Sequence, residues 1–119
     1  MMRAVLSLAA LAGLLAAPAF AHAFLERADP PVGSEVSTPP QQLVLTFTEG
    51  VEPLFTAVQL RDPSGGNVAI GKPHTEPGND RKLLVPLPAL GRGKYTVNWH
   101  ATSVDTHKTE GSFQFTIVQ

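Results

Sequence analysis

The chain has 119 residues, with 9 Lys and Arg against 10 Asp and Glu and a formal net charge of −1. That balance excludes the basic footprint of a nucleic-acid binder and gives no pull toward an anionic membrane surface. There is no cysteine, which excludes a disulfide frame and thiolate metal sites, blue copper among them.

Residues 1–21 read as a secretory signal peptide. Arg3 supplies the positive start, residues 4–15 form a short uncharged apolar run, and Ala19-Phe20-Ala21 fits the small-x-small rule for cleavage. The apolar run is too short to span a bilayer and no later stretch is apolar for long enough. The product is therefore expected to be soluble and exported, with no membrane insertion after cleavage. Cutting after Ala21 leaves residues 22–119, a single small domain of formal charge −2. Met1 and Met2 leave with the leader. The mature chain then holds no sulfur, which disfavours a soft ion such as Cu(I).

Cleavage also makes His22 the first residue. An N-terminal histidine offers its α-amine and its ring Nδ1 together, and both can close a chelate on one metal ion. Farther along, eleven prolines and ten glycines punctuate the chain, and short stretches of period-two alternation lie between them. A strand is predicted near residues 24–28. Pro30-Pro31 and Pro39-Pro40 bracket and stiffen the first connection. Leu43, Leu45 and Phe47 alternate with Val44, Thr46 and Thr48, and Val58 with Leu60 marks the next run. Asp62-Pro63-Ser64-Gly65-Gly66 reads as a turn leading to Val68 and Ile70. Residues 71–80 read as a long polar loop, with Asp80 a turn residue. Leu83, Val85 and Leu87 follow. Tyr95, Val97, Trp99 and Ala101 share one face opposite Thr96, Asn98 and His100, and Phe113, Phe115 and Ile117 close the chain. These seven short strands, each apolar on one face, predict an all-β antiparallel sandwich or Greek-key barrel.

The sharpest internal feature is Asp105-Thr106-His107. In an extended chain, residues two apart point the same way, so Asp105 and His107 are expected to present a carboxylate and an imidazole together. Ser103 is in phase to orient one of them by a hydrogen bond. With His22 the donors become an amine, two imidazoles and a carboxylate. That set suits Cu(II) in a tetragonal plane, and Zn(II) is also compatible with it. Copper's place at the top of the divalent affinity order favours Cu(II). Protons compete at an α-amine (about pKa 8) and at imidazole (about 6.5), so binding is expected to weaken below about pH 6. His74, in the polar loop, and His100, out of phase with Trp99, read first as solvated surface histidines, secondarily as weak copper or partner contacts. Trp99 and Tyr95 read as core. Glu52, Lys108 and Glu110 read as surface charges.

Several segments together resemble the copper resistance protein CopC family. They are His22-Ala23-Phe24-Leu25, Asp29-Pro30-Pro31-Val32-Gly33, and the run from Leu45-Thr46-Phe47-Thr48 through Glu49-Gly50-Val51-Glu52-Pro53. To these are added Gly93-Lys94-Tyr95-Thr96-Val97-Asn98-Trp99, Ser103-Val104-Asp105-Thr106-His107 and Gly111-Ser112-Phe113. The resemblance implies an exported periplasmic carrier with a seven-stranded Greek-key β-barrel, cupredoxin-like or immunoglobulin-like, that binds Cu(II). It assigns the amine and ring of His22, the Asp105 carboxylate and the His107 ring to the metal. Glu49 stands where relatives carry an acidic residue near the site, and it joins Ser103 as a supporting residue. Some relatives have Gly where Thr106 stands. Others carry a Met-rich Cu(I) loop, which this chain lacks. The implied partner is an inner-membrane copper transport protein.

The expected role is capture and release, with no bond made or broken, so the chain is not expected to be an enzyme. Two other classes compete. A copper monooxygenase also uses an N-terminal histidine chelate, but Asp105 would fill the position that oxygen chemistry needs open. A structural β-sandwich interaction module would bind copper only weakly.

Overall fold

The computed structural model describes residues 22–118; the expected signal peptide lies outside the described residues. Nine strands follow in order: β1 (Leu25–Asp29), β2 (Glu35–Val36), β3 (Gln42–Phe47), β4 (Ala57–Arg61), β5 (Asn67–Val68), β6 (His74–Glu76), β7 (Asn79–Pro86), β8 (Gly93–Thr102) and β9 (Lys108–Ile117). A single 3-10 turn, Pro53–Phe55, is the only helical element among the described residues. One sheet has the order β1-β3-β7-β6 and the other β2-β9-β8-β4-β5. The all-β, two-sheet architecture, antiparallel at every pairing except β2 with β9, is the one expected from the alternation.

Seven of the nine strands coincide with predicted ones. The two added strands are β2 and β6, and both correct the reading of their segments as plain connections. A strand of two or three residues is too short to carry an alternation signal; its existence depends on the strand it pairs with. β2 pairs in parallel with the end of β9, Glu35 opposite Thr116 and Val36 opposite Ile117. β6 lies inside the predicted loop 71–80 and pairs with β7, which itself starts at Asn79, so Asp80 is a strand residue. Pro77-Gly78 links them, with Gly78 at φ 78°; proline sets the first central turn residue and glycine takes the left-handed second one.

The core fills the space between the sheets. Leu43, Leu45, Phe47, Leu83, Val85, Val97 and Phe115 are 0–1% exposed, and each large apolar side chain so buried contributes roughly 1.5–3 kcal/mol. Trp99 meets Phe47 edge-to-face, with centroids 5.3 Å apart, and Tyr95 stacks on Phe115 at 5.6 Å. Tyr95 and Trp99 are thus core residues, as their phase predicts. β8 and β9 form the longest pairing, ten residues from Gly93–Ile117 to Thr102–Lys108. Their connecting loop, residues 103–107, emerges at one end of the sandwich.

Candidate metal centre

Alternation along β8 stops at its end. Ala101, Thr102 and Ser103 are all buried in succession, because the segment after β3 folds over them. The Glu52 N–H donates to Thr102 O at 2.8 Å, Thr102 Oγ1 donates to Phe55 O at 2.7 Å, and Val51 bridges Ser103. The Val104 N–H donates to Gly50 O at 3.0 Å. The turn after β3 is therefore the floor on which the 103–107 loop rests. A Cβ at Gly50 would lie 2.6 Å from the Asp80 carboxylate, so a larger residue there would push that exposed side chain aside.

The loop brings Asp105 and His107 together by turning, and this corrects the extended-chain reasoning behind the pair. Thr106 sits at φ 74°, a left-handed conformation that a β-branched residue rarely adopts. The Thr106 N–H donates to Ser103 O and the Ser103 N–H to His107 O, each at 2.8 Å. Asp105 Oδ1 then lies 3.2 Å from His107 Nδ1. Ser103, only 1% exposed, sits under the turn. Its hydroxyl donates to Asp105 Oδ1 and accepts the His107 N–H at 3.2 Å. The Ser103 hydroxyl, and after it His107, hold the Asp105 carboxyl below the usual carboxylate range against a smaller opposing effect of desolvation. The group stays an anion, the form that ligates metal.

His22 reaches this loop from across the sandwich end. Its ring stacks on that of His107, with centroids 4.8 Å apart and planes at 29°, and Phe24 lies tilted against it at 5.8 Å. A metal–nitrogen bond is about 2 Å and lies in the ring plane, so the stacked rings must turn before one ion could hold a nitrogen of each. His22, far from the other two in the chain, thus shares one surface with Asp105 and His107. Among the described residues no three His, Asp or Glu side chains already converge on a metal-sized point.

The other candidates lie elsewhere. Glu49 is exposed in the turn just before Gly50, and among the described residues no hydrogen bond or ion pair joins it to the three. His100 is exposed on the outer face of its sheet, where its Nε2 pairs with Glu110 Oε1 opposite at 3.0 Å. His74 is exposed on β6, its Nδ1 3.3 Å from Lys72 O. Sequence reasoning missed Thr48 and Thr109. Thr48 Oγ1 donates to His22 O and accepts the Phe24 N–H, both at 3.0 Å, and Thr109 Oγ1 donates to Ala23 O at 2.6 Å. Nothing in the sequence separates these threonines from their neighbours on β3 and β9.

Three comparisons bear on this arrangement. The sequence pattern of the CopC domain family matches residues 25–118. Protein YobA of Escherichia coli K12 is 36% identical over 113 residues, covering 93% of this chain and 91% of that protein. Copper resistance protein C of Escherichia coli is 31% identical over 106 residues, covering 83% of each. Among solved structures, CopC from Methylosinus trichosporium OB3b superposes with a TM-score of 0.76 at 31% identity, over 81% of this chain and 93% of that one.

Proposed function

The chain belongs to the CopC family, whose members include copper resistance and copper transport proteins, and from that premise we propose that it captures Cu(II) in the periplasm and buffers or delivers it. The single observation that carries the reading is the His22–His107 ring stack beside Asp105. It assembles, from the two ends of the chain, the donors that a tetragonal Cu(II) ion prefers.

In this reading a signal peptidase cuts after Ala21 and converts the His22 amide into an α-amine. Amine and His22 ring then close a chelate, and His107 and Asp105 complete an N3O set. The two rings turn from their stacked arrangement to aim one nitrogen each at the ion. Hydrogen bonding from Ser103 keeps Asp105 ionised and oriented, a role that outer partners of metal ligands commonly fill. Hard and borderline donors with no thioether or thiolate favour Cu(II) over Cu(I). Asp105 occupies a position that oxygen activation would need open, which supports a carrier over an enzyme. An inner-membrane copper transport protein is the proposed recipient.

The test is a Cu(II) titration of protein beginning at His22, in competition with a strong chelator. The same titration is run on a version with one extra residue before His22. The chelate predicts tight binding in the first and a loss of about 100-fold or more in the second, with the thermal melt unchanged. Equal affinities would remove the amine from the site, and with it the proposal.

A further inference from the structure

We propose that Thr48 and Thr109 are positioning residues of the copper site, a two-sided clasp that holds residues 22–24 so that His22 stands over His107 before any metal arrives. The proposal rests on the Cu(II) reading above and extends it to residues that touch no metal.

The first residues of a domain fray unless something ties them down. Here two hydroxyls do so from opposite sheets. Thr48 lies one residue past β3. A hydroxyl can donate and accept at once, and Thr48 Oγ1 does both, giving its hydrogen to His22 O and taking that of the Phe24 N–H. The Thr48 N–H donates to Phe24 O at 2.8 Å, which extends the β1–β3 ladder toward the chain start. From the other sheet, Thr109, the second residue of β9, donates to Ala23 O at 2.6 Å. Ala23 is 1% exposed between them, so the backbone on both sides of it is fixed. None of these bonds uses the His22 nitrogen. Cutting after Ala21 leaves the clasp in place and adds the amine to a residue already aimed.

Holding a ligand in its bound region beforehand removes the ordering step from binding. Loss of such outer support typically lowers metal affinity by about 10–100-fold. Thr→Val keeps the shape and deletes the hydroxyl, whereas Thr→Ser keeps the hydroxyl.

The experiment uses protein starting at His22, with Thr48→Val, Thr109→Val, the double variant and the two serine variants. Chelator competition is expected to show Cu(II) affinity falling about tenfold in each valine variant and about 100-fold in the double. The electron paramagnetic resonance spectrum should broaden into mixed coordination, and serine should restore affinity and spectrum. Metal-free protein gives a second readout by NMR: contacts between the His22 and His107 rings and slow exchange of the Phe24 amide in wild type, both lost in Thr48→Val. A folded double-valine variant with wild-type affinity and spectrum would overturn the clasp, as would metal-free wild type without the ring contacts. If wild type bound no Cu(II), the functional reading would fall, and the metal-free ring contacts would still decide whether the clasp exists.

Discussion

The two ends of strand β8 are held by different physics. From Gly93 to Trp99 the strand alternates: Tyr95, Val97 and Trp99 are 0–5% exposed, with Trp99 against Phe47 of the facing sheet and Tyr95 stacked on Phe115 of β9. Each is fixed by many small, non-directional contacts. At Thr102 and Ser103 the strand is buried on both sides, and what surrounds it is hydrogen bonds: Glu52 and Phe55 on one side, Asp105 and His107 on the other. Directional bonds place a few atoms accurately, whereas apolar packing tolerates many residues of similar size. The molecule therefore joins a forgiving frame to an exacting mouth, and changes at one end should leave the other largely intact.

The largest expected effect is in the frame. Phe115→Ala removes a ring that is 1% exposed and stacked on Tyr95, and should cost about 3–5 kcal/mol in chemical denaturation. Copper affinity of the folded fraction should stay within about threefold; a collapse of affinity would break the separation of the two ends. Gly111→Ala comes next. A Cβ there would lie 2.4 Å from Trp99 Cζ2, so the indole must move, at about 1–3 kcal/mol. Fluorescence of Trp99, the only tryptophan, should report the displacement alongside the melt.

At the mouth the expected effects are smaller and more local. Thr106→Gly relieves the positive φ while adding freedom to the unfolded chain, and should stabilise the protein by about 0.5–1 kcal/mol. A loss of stability would show that the Thr106 hydroxyl, which donates to Asp105 O, matters more than the backbone strain. Ser103→Ala deletes the main cause of the low Asp105 pKa. The sign follows from linkage: with the folded pKa depressed, the carboxylate's contribution is complete above the unfolded value of about 3.9 and fades as pH falls through the folded one. Without the Ser103 hydroxyl that contribution should shrink and the Asp105 titration should move to higher pH. Carboxyl NMR titration of the metal-free protein would measure it; an unmoved titration would assign the effect elsewhere.

The frame was legible because its physics is periodic. Leu43-Leu45-Phe47, Tyr95-Val97-Trp99 and Phe113-Phe115-Ile117 repeat every second residue, and all nine side chains are buried. The short strands β2 and β6 were not legible, since two or three residues show no period and their hydrogen bonds go to β9 and β7. The donor residues at the mouth stood out as residue types, yet the reason Asp105 and His107 face each other lies in a left-handed turn that no alternation describes.

What the sequence determined alone was the chemistry on offer: period-two apolar faces that must pair into sheets, no sulfur donors after residue 2, and imidazole and carboxylate side chains placed near the two ends of the chain. What tertiary structure decided was that those ends meet. The contact of His22 with His107 spans most of the chain. It exists because two sheets pack face to face and leave β1, β3, β8 and β9 ending at the same mouth. Local sequence cannot encode such a meeting, because it arises from the pairing of strands that are neighbours only after folding.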